Sequence, residues 1–302
     1  MPKITYRHPT QDELLPACRV MAGSYLDLQA RSGRKVPEKP DFKETPAAVV
    51  HMYKTDYKGC WVVYSGNRMV GYGQALMRGK QWYLANLFVE TRAQNGGVGR
   101  ELMKRCLNYG RQKNADSFAL CTFPYNEVAL GLYAGFGIMP QYPIFEMRNT
   151  NTVTRRIQPT GLHIDNGNSN SSILRINRLE KKIRGYARLV DLRFFAGEPD
   201  YEILDFYRGP KWVGYSVIHK RGLIAPSGAI VPKYLPDIVT ESFRRTLKYG
   251  SKMSIIFAGG SNAQVHNRLR TLGFKIDSIS VFLATKQYAD FSRYIPAHLA
   301  LF

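Results

Sequence analysis

Residues 81–111 read QWYLANLFVETRAQNGGVGRELMKRCLNYGR, and this stretch decides how the rest of the chain is interpreted. Residues 82–89 are aromatic and branched, which favours a buried strand, and apolar residues recur at helical spacing from Leu102 to Tyr109. The loop between them, residues 94–100, contains three glycines. Without Cβ atoms, successive backbone N–H groups can turn toward one anion at the helix start. The stretch therefore predicts a strand, an anion-binding loop and a helix.

The spacing of the glycines separates this loop from other phosphate-binding loops. It fits neither the dinucleotide fingerprint GxGxxG nor the phosphate loop GxxxxGK[ST]. Instead, Gln94-x-x-Gly97-x-Gly99 resembles the Q/R-x-x-G-x-G/A loop of the GNAT superfamily of acyl-CoA N-acyltransferases. The resemblance implies that the pyrophosphate of acetyl-CoA, or of another acyl-CoA, is bound by Gln94, Asn95, Gly96, Gly97, Val98, Gly99 and Arg100.

A second motif agrees with the first in order and separation. Residues 126–138, NEVALGLYAGFGI, follow a predicted strand at 117–122 and resemble the N-x-x-A-x-x-L-Y-x-x-L-G-F segment of the same superfamily. By this resemblance, Asn126 lies near the pantetheine arm of the cofactor, and the Tyr133 hydroxyl sits by the thioester sulfur as a general acid. Without the upstream loop, Tyr133 would be interpreted as a core residue, because it shares helical spacing with apolar neighbours.

The resemblance also implies a direct transfer of the acyl group. A backbone N–H on the splayed strand near Leu87, Phe88 and Val89 would polarise the acyl carbonyl. Tyr133 would protonate the departing thiolate. The amine would then attack the thioester through a tetrahedral intermediate, and the motifs contain no Cys that would suggest a covalent enzyme intermediate.

The sequence does not identify a general base. Some GNAT enzymes place a Glu eleven residues before the loop Gln, but this chain has Tyr83 at that position. Glu90 comes late on the strand, and Asp56 is only a loop candidate. Either an ordered water chain removes the proton or the amine arrives deprotonated.

The order of the predicted elements indicates an α/β fold with a mixed sheet and helices on both faces. A strand, a helix and a hairpin precede the decisive stretch, at residues 3–8, 10–31 and 61–77. The loop at 32–46 forms one wall of the acceptor cleft, if the resemblance holds there, or is a solvated loop. The resemblance covers residues 3–149, so residues 1–149 are predicted to be a catalytic GNAT domain that binds acyl-CoA.

The remainder of the chain repeats this pattern. Residues 150–175 are polar and are predicted to be a linker or crossing segment. Beyond it, Asn262 and Gly273 repeat Asn126 and Gly137 at a common offset of 136 residues. The repeat predicts two tandem GNAT-like folds, with the second copy at residues 176–302.

The second copy lacks the predicted chemistry. At the same offset, residues 230–235 (IVPKYL) stand opposite the glycine loop and include a proline, which has no N–H. Leu269 takes the position of Tyr133, and Asn262 is explained as a helix cap. We therefore expect a degenerate domain that does not bind CoA and serves as a scaffold, a cleft wall or a partner-binding module.

Composition limits the partners of the chain. The 302 residues include 43 Lys and Arg against 23 Asp and Glu, a net charge of +20, which favours anionic partners such as acyl-CoA, nucleic acid or the ribosome. The four Cys and six His are scattered, so neither a metal site nor a disulfide framework is predicted. The first residues show no signal or transit pattern, and no apolar run is long enough to span a membrane, so a cytoplasmic protein is expected.

Three functional hypotheses follow. The favoured one is an acyl-CoA-dependent N-acyltransferase, an N-acetyltransferase acting on an amine of a small molecule or a protein. The second is the same chemistry on a nucleic-acid or ribosomal acceptor, which the charge of +20 motivates. The third is a non-catalytic module that binds CoA or a partner, which the missing base favours. The sequence does not name the acceptor.

Overall fold

The computed structural model describes residues 3–94, 96–150 and 157–302, which form two compact units. The first unit comprises Met1–Met139 together with Ala284–Lys286, and the second comprises Pro140–Leu283 together with Gln287–Phe302.

The first unit is one mixed sheet with helices on both faces. Its strands and helices, in chain order, are β1 (Ile4–Arg7), α1 (Leu14–Arg31), α2 (Ala47–Thr55), β2 (Cys60–Ser65), β3 (Arg68–Arg78), β4 (Gln81–Val89), α3 (Val98–Gln112), β5 (Ser117–Thr122) and α4 (Glu127–Ala134). The strands lie in the order β1-β2-β3-β4-β5, and all pairs are antiparallel except β4 with β5. The predicted mixed sheet and the predicted hairpin, which is β2 and β3, are confirmed.

Alternating side chains on β2 and β3 place α1 and α3 on opposite faces of this sheet. Val62 and Tyr72 pack with Ala17 of α1 in one cluster. Val63, the neighbour of Val62, packs instead with Leu102 of α3 in another. Since successive side chains of a strand point to opposite faces, the adjacent valines fix both helices at once.

The pairing between β4 and β5 ends before either strand does. Its last register pair is Leu84↔Leu120, whereas β4 continues to Val89. On its other edge β4 stays paired with β3, with a register shift at Ala85 that inserts one extra residue. The second half of β4 therefore has one open edge, and this opening begins the candidate site.

The second unit repeats the element order of the first. Its strands and helices are β6 (Met139–Asn149), β7 (His163–Asn166), α5 (Asn170–Arg184), α6 (Leu189–Gly197), β8 (Tyr201–Arg208), β9 (Lys211–His219), β10 (Ile224–Ala229), α7 (Leu235–Lys248), β11 (Ser254–Gly259), α8 (Ala263–Thr271), β12 (Lys275–Ala284) and β13 (Tyr294–Ile295). The series from β7 to β12 matches the series from β1 to β6, which confirms two GNAT-like copies in tandem.

The unit boundaries differ from the predicted domain boundaries. The first unit ends at Met139 and not at residue 149, because β6 pairs with β11 through Ser254↔Asn149 to Gly259↔Ile144. The predicted linker at 150–175 contains β7 and the start of α5, so its described part belongs to the second unit. Residues 151–156 of that segment lie outside the described residues. Polar composition alone could not reveal a strand whose pairing partner, β8, lies about 40 residues further along the chain.

Candidate active site

The glycine loop ends in a helix start that has no side-chain cap. Gly97 is the N-cap residue of α3, with φ +75° and ψ 1°, a left-handed conformation that favours glycine. The N–H groups of Val98, Gly99 and Arg100 occupy the first helical turn, where no intrahelical acceptor exists. A Cβ atom at Gly96 or Gly97 would meet nothing within 4 Å, so the space in front of these donors is open. The loop can thus receive an anionic group.

Gln94 connects the loop to the strand. Its Nε2 donates a hydrogen bond of 2.9 Å to the carbonyl oxygen of Val89, the last residue of β4. Gln94 and Val89 line the same cleft as Gly97, Val98, Gly99 and Arg100. Gly96 is exposed beside the cleft, and Asn95 lies outside the described residues.

The ladder between β3 and β4 shows which backbone groups face the open edge. The Glu90 N–H donates to the Val70 carbonyl at 2.8 Å, so Phe88, two residues earlier, also directs its N–H toward β3. Leu87 and Val89 alternate with them and direct their N–H groups toward the opening between β4 and β5. Of the three predicted strand residues, Leu87 and Val89 therefore have the orientation that a carbonyl-polarising donor needs.

Asn126 and Tyr133 come to this cleft from α4. Asn126 is the N-cap of α4, and its Oδ1 accepts a hydrogen bond from the Ala129 N–H at 3.3 Å. Tyr133, seven residues further along on α4, is 5% exposed and lines the cleft. Burial raises the pKa of Tyr133 above its ordinary value. Tyr133 therefore stays protonated at neutral pH and is available as a donor.

The cleft has a volume of about 580 Å³. Sequence reasoning found ten of its lining residues and missed the others, which are Ser24, Leu28, Arg31, Ser32, Tyr125, Glu127, Val128, Ala129, Gly131 and Leu132. The last six flank Asn126 and Tyr133 and could have been found from that motif. Ser24, Leu28 and Arg31 belong to α1, and their sequence signal was only that of an amphipathic helix. Ser32 begins the loop at 32–46, for which the sequence left a cleft wall and a solvated loop as alternatives.

Neither carboxylate considered from the sequence, Glu90 or Asp56, lines the cleft, and neither does Tyr83, which stands at the position of the family's Glu. Tyr83 is 2% exposed within the core, and Glu90 pairs with Arg68 at 2.8 Å. Asp56 is 4% exposed and accepts hydrogen bonds from Arg78 and Tyr109, both at 2.7 Å. Among the described residues that line the cleft, Glu127 carries the single carboxylate, and it is exposed.

The corresponding strand edge in the second unit is covered. β10 is the counterpart of β4, and residues Ser227 and Gly228 pair with β13. The Ala229 N–H also donates to the Arg293 carbonyl at 2.9 Å. We call residues 287–302, which contain β13, the C-terminal plug. The C-terminal plug covers the edge of β10 that corresponds to the open edge of β4 in the first unit.

The two cap asparagines show the same contrast. Asn262 caps α8 through the Val265 N–H at 3.1 Å, as Asn126 caps α4. The Nδ2 of Asn262 also donates to two plug carbonyls, those of Phe291 at 2.7 Å and Ser292 at 3.2 Å. In the first unit, the Nδ2 of Asn126 has no protein acceptor among the described residues, and Asn126 lines the cleft. Backbone carbonyls of the plug, from a turn at residues 290–293, thus already occupy the second copy where the first copy has space.

Metal and thiol chemistry find no support in the described part of the chain. It contains no group of three or more His, Cys, Asp or Glu residues that could hold a metal ion. Burial raises the pKa of Cys18 to about 11 and that of Cys60 to about 12, so these thiols are unreactive at neutral pH.

No helix within the described ranges has the length and apolar character needed to cross a membrane.

Known structures share this fold over nearly the whole chain. A putative acetyltransferase from Pyrococcus horikoshii superimposes with a TM-score of 0.73 at 16% identity and covers 99% of this chain and 92% of its own. A GCN5-related N-acetyltransferase from Sphaerobacter thermophilus gives a TM-score of 0.69 at 15% identity, with coverage of 96% and 98%. A tandem GNAT protein from the clavulanic acid biosynthesis pathway gives 0.57 at 14% identity, with coverage of 94% and 98%. No curated protein matches the sequence.

The chain thus has the fold of two GNAT-like units in tandem. Residues 26–138 match the model of the acetyltransferase (GNAT) family. The match contains the glycine loop, Asn126 and Tyr133.

Proposed function

We propose that the chain is an acyl-CoA-dependent N-acyltransferase that transfers an acetyl group from acetyl-CoA to an amine, with its active site in the first unit. The observation that carries this proposal is the convergence on one cleft of an uncapped glycine helix start, an open strand edge and a buried, protonated Tyr133. Each of these features suits a different part of an acyl thioester of CoA.

The residues present fit such a substrate. The N–H groups of Val98, Gly99 and Arg100 would hold the pyrophosphate, because a helix start concentrates donors and positive potential. The free Nδ2 of Asn126 would donate to an amide carbonyl of the pantetheine arm. The bonds of Asn262 to the plug carbonyls support this role, since they show that the same side chain donates to amide carbonyls placed beside it.

In the reaction, the amine nitrogen forms a bond to the acyl carbon, and the bond between that carbon and sulfur breaks. The Leu87 or Val89 N–H would stabilise the negative charge that develops on the carbonyl oxygen. The electron pair of the broken bond stays on sulfur, and Tyr133 would supply the proton to the thiolate. The proton that the amine loses goes to water, because the cleft offers no buried base among its described residues, and Tyr133 regains a proton from water, so that the overall reaction releases none.

Binding of acetyl-CoA by isothermal titration calorimetry tests this proposal with a Gly99→Glu variant. A Cβ atom at Gly99 would meet only Val89 Cγ2, at 3.8 Å, so the side chain fits, and a Glu in the first turn suits the helix dipole. Its carboxylate would repel the pyrophosphate, so we expect a loss of affinity of 100-fold or more. Asn108→Glu adds the same charge on an exposed position of α3 and should leave the affinity unchanged. Equal affinity in the wild type and Gly99→Glu would refute the proposed cradle.

A second candidate function is a CoA-binding module without turnover. The absence of a buried carboxylate or histidine among the described lining residues favours it. Detection of the acetylated product by mass spectrometry, after incubation of the protein with acetyl-CoA and a panel of amines, decides between the two. Tight binding without any product would support the module.

A further inference from the structure

The cleft has a second wall, formed by the C-terminal part of α1. Ser24, Leu28, Arg31 and Ser32 line the cleft from this side, and Tyr125 joins them from the segment after β5. We call these residues, with Arg34, the α1 wall. Because α1 and α3 pack on opposite faces of the sheet, the α1 wall lies across from the glycine loop. It is therefore the part of the cleft left for the second substrate.

The α1 wall presents two arginines without carboxylate partners. Arg31 lines the cleft, and the Arg34 guanidinium lies over the Tyr125 ring, 4.5 Å from its centroid. Among the described residues, neither arginine has a carboxylate oxygen within 4 Å. Their positive charges are thus available to a ligand.

The wall is fixed by buried hydrogen bonds. Gln29 is 3% exposed, and its Nε2 donates to the Tyr125 hydroxyl at 2.6 Å, which holds the ring beneath Arg34. The Arg34 N–H donates to the Gln29 carbonyl at 3.0 Å, which ties the turn to the helix end. Ser24 is 8% exposed, lines the cleft, and has a hydroxyl without a hydrogen-bond partner in the described structure. A buried hydroxyl without a partner, on the same wall as two arginines, is suited to a polar, anionic ligand.

The positive charges of Arg31 and Arg34 also offer a way to deprotonate the amine without a general base. Positive charge close to an amine disfavours its ammonium form and lowers its pKa. The same charge attracts a carboxylate or phosphate on the same molecule. A substrate that carries both groups would bind through its anion and present a neutral amine, with no base required from the protein.

We propose, on the basis of the function proposed above, that the acceptor is a small amine that carries a carboxylate or phosphate group, recognised by Arg31 and Arg34. Amines that carry no anionic group are poor acceptors, since they gain nothing from these arginines. Polyamines are poor acceptors because the arginines repel their additional positive charges.

Matched pairs of amines test this proposal. β-Alanine and β-alaninamide differ in a carboxylate, and glucosamine 6-phosphate and glucosamine differ in a phosphate, so the two pairs distinguish the two kinds of anion. Thiol release from acetyl-CoA gives kcat/KM for each amine, and calorimetry on the CoA-saturated protein gives its binding. We expect the anionic member of at least one pair to exceed its partner by tenfold or more in either measurement.

An Arg31→Gln, Arg34→Gln double variant should abolish this preference while leaving the Kd for acetyl-CoA unchanged. Lys35→Gln removes a neighbouring exposed charge that does not line the cleft and should change neither quantity. Equal results within both pairs, or no binding of either anionic member to the CoA-bound protein, would overturn the proposal. It would also be overturned if the double variant weakened acetyl-CoA binding instead, because the arginines would then serve the cofactor. A wild type that fails to bind acetyl-CoA would refute the proposed function itself.

Discussion

Tyr133 shows how one side chain gains a chemical role from its surroundings. It is nearly buried, and burial raises its pKa, so its hydroxyl remains protonated across the neutral range. A residue with these properties is a hydrogen-bond and proton donor and cannot act as a base at neutral pH. Its spacing from Asn126 on α4 brings it to the same cleft as the open edge of β4.

A Tyr133→Phe variant removes this donor and little else. We expect kcat to fall by about 100-fold, the scale of a lost general acid, while the Kd for acetyl-CoA changes little. Because the pKa of Tyr133 is raised, the wild-type rate should show no fall from tyrosine ionisation below about pH 10. Tyr57→Phe removes the hydroxyl of an exposed tyrosine outside the cleft and should retain full activity. An unchanged kcat in Tyr133→Phe would mean that another group protonates the CoA thiolate.

The start of α1 illustrates the element scale. Glu13 accepts the Thr10 N–H at 2.9 Å and the Tyr64 hydroxyl at 2.5 Å, and it pairs with Arg7 at 2.5 Å. One carboxylate therefore caps the turn before α1 and connects it to β1 and β2. The hydrogen bond from Arg7 is the largest cause that lowers the pKa of Glu13 to about 2.

We expect a Glu13→Gln variant to have a lower free energy of unfolding than the wild type at neutral pH, by about 1–2 kcal/mol, because it loses the ion pair with Arg7. The effect is no larger because Arg7 is half exposed and solvent screens the pair. The lowered pKa makes this stabilisation complete above the ordinary value of 4.5 and progressively lost as the pH falls toward about 2. Urea unfolding at pH 7 and pH 3 should thus show a smaller difference between the two proteins at pH 3. Asp12→Asn, at the exposed neighbour, serves as the control. A difference independent of pH would mean that charge is not the cause.

At the scale of the whole molecule, the described residues of the first unit offer an open cleft of the proposed kind, and the corresponding strand edge of the second unit is covered. In the second unit, β13 covers the edge of β10, and Pro232 stands at the position of the glycine loop. Leu269, the counterpart of Tyr133, is fully buried in the core. The plug is held by Arg184 and Arg188, which are also buried and donate to the Phe302 and Leu301 carbonyls.

We therefore expect one acetyl-CoA to bind per chain. Calorimetric titration of the wild type should give a stoichiometry of one, and Gly99→Glu should leave no residual site. A Pro232→Gly variant, which restores a flexible residue at that position, should still show a single site, because the plug and not the proline alone closes the edge. A stoichiometry of two would contradict the degeneracy of the second copy.

The sequence by itself determined the features that depend on local spacing. These are the strand, loop and helix around Gly97, the motif from Asn126 to Tyr133, the mixed sheet and the tandem repeat. Such patterns are readable because backbone conformation and helical or strand periodicity are set by residues that lie close together in the chain.

The tertiary structure alone decided what depends on contacts between distant residues. It paired β6 with β11, moved the unit boundary to Met139, laid β13 along β10 and brought Arg31 to the cleft. Sheet pairing joins segments through backbone groups that nearly all residues share, so the sequence of one strand does not identify its distant partner strand. The glycine loop could be recognised from the sequence. The wall that faces the acceptor was predicted there only as one of two alternatives for the loop at 32–46, and the contribution of α1 to it was not predicted.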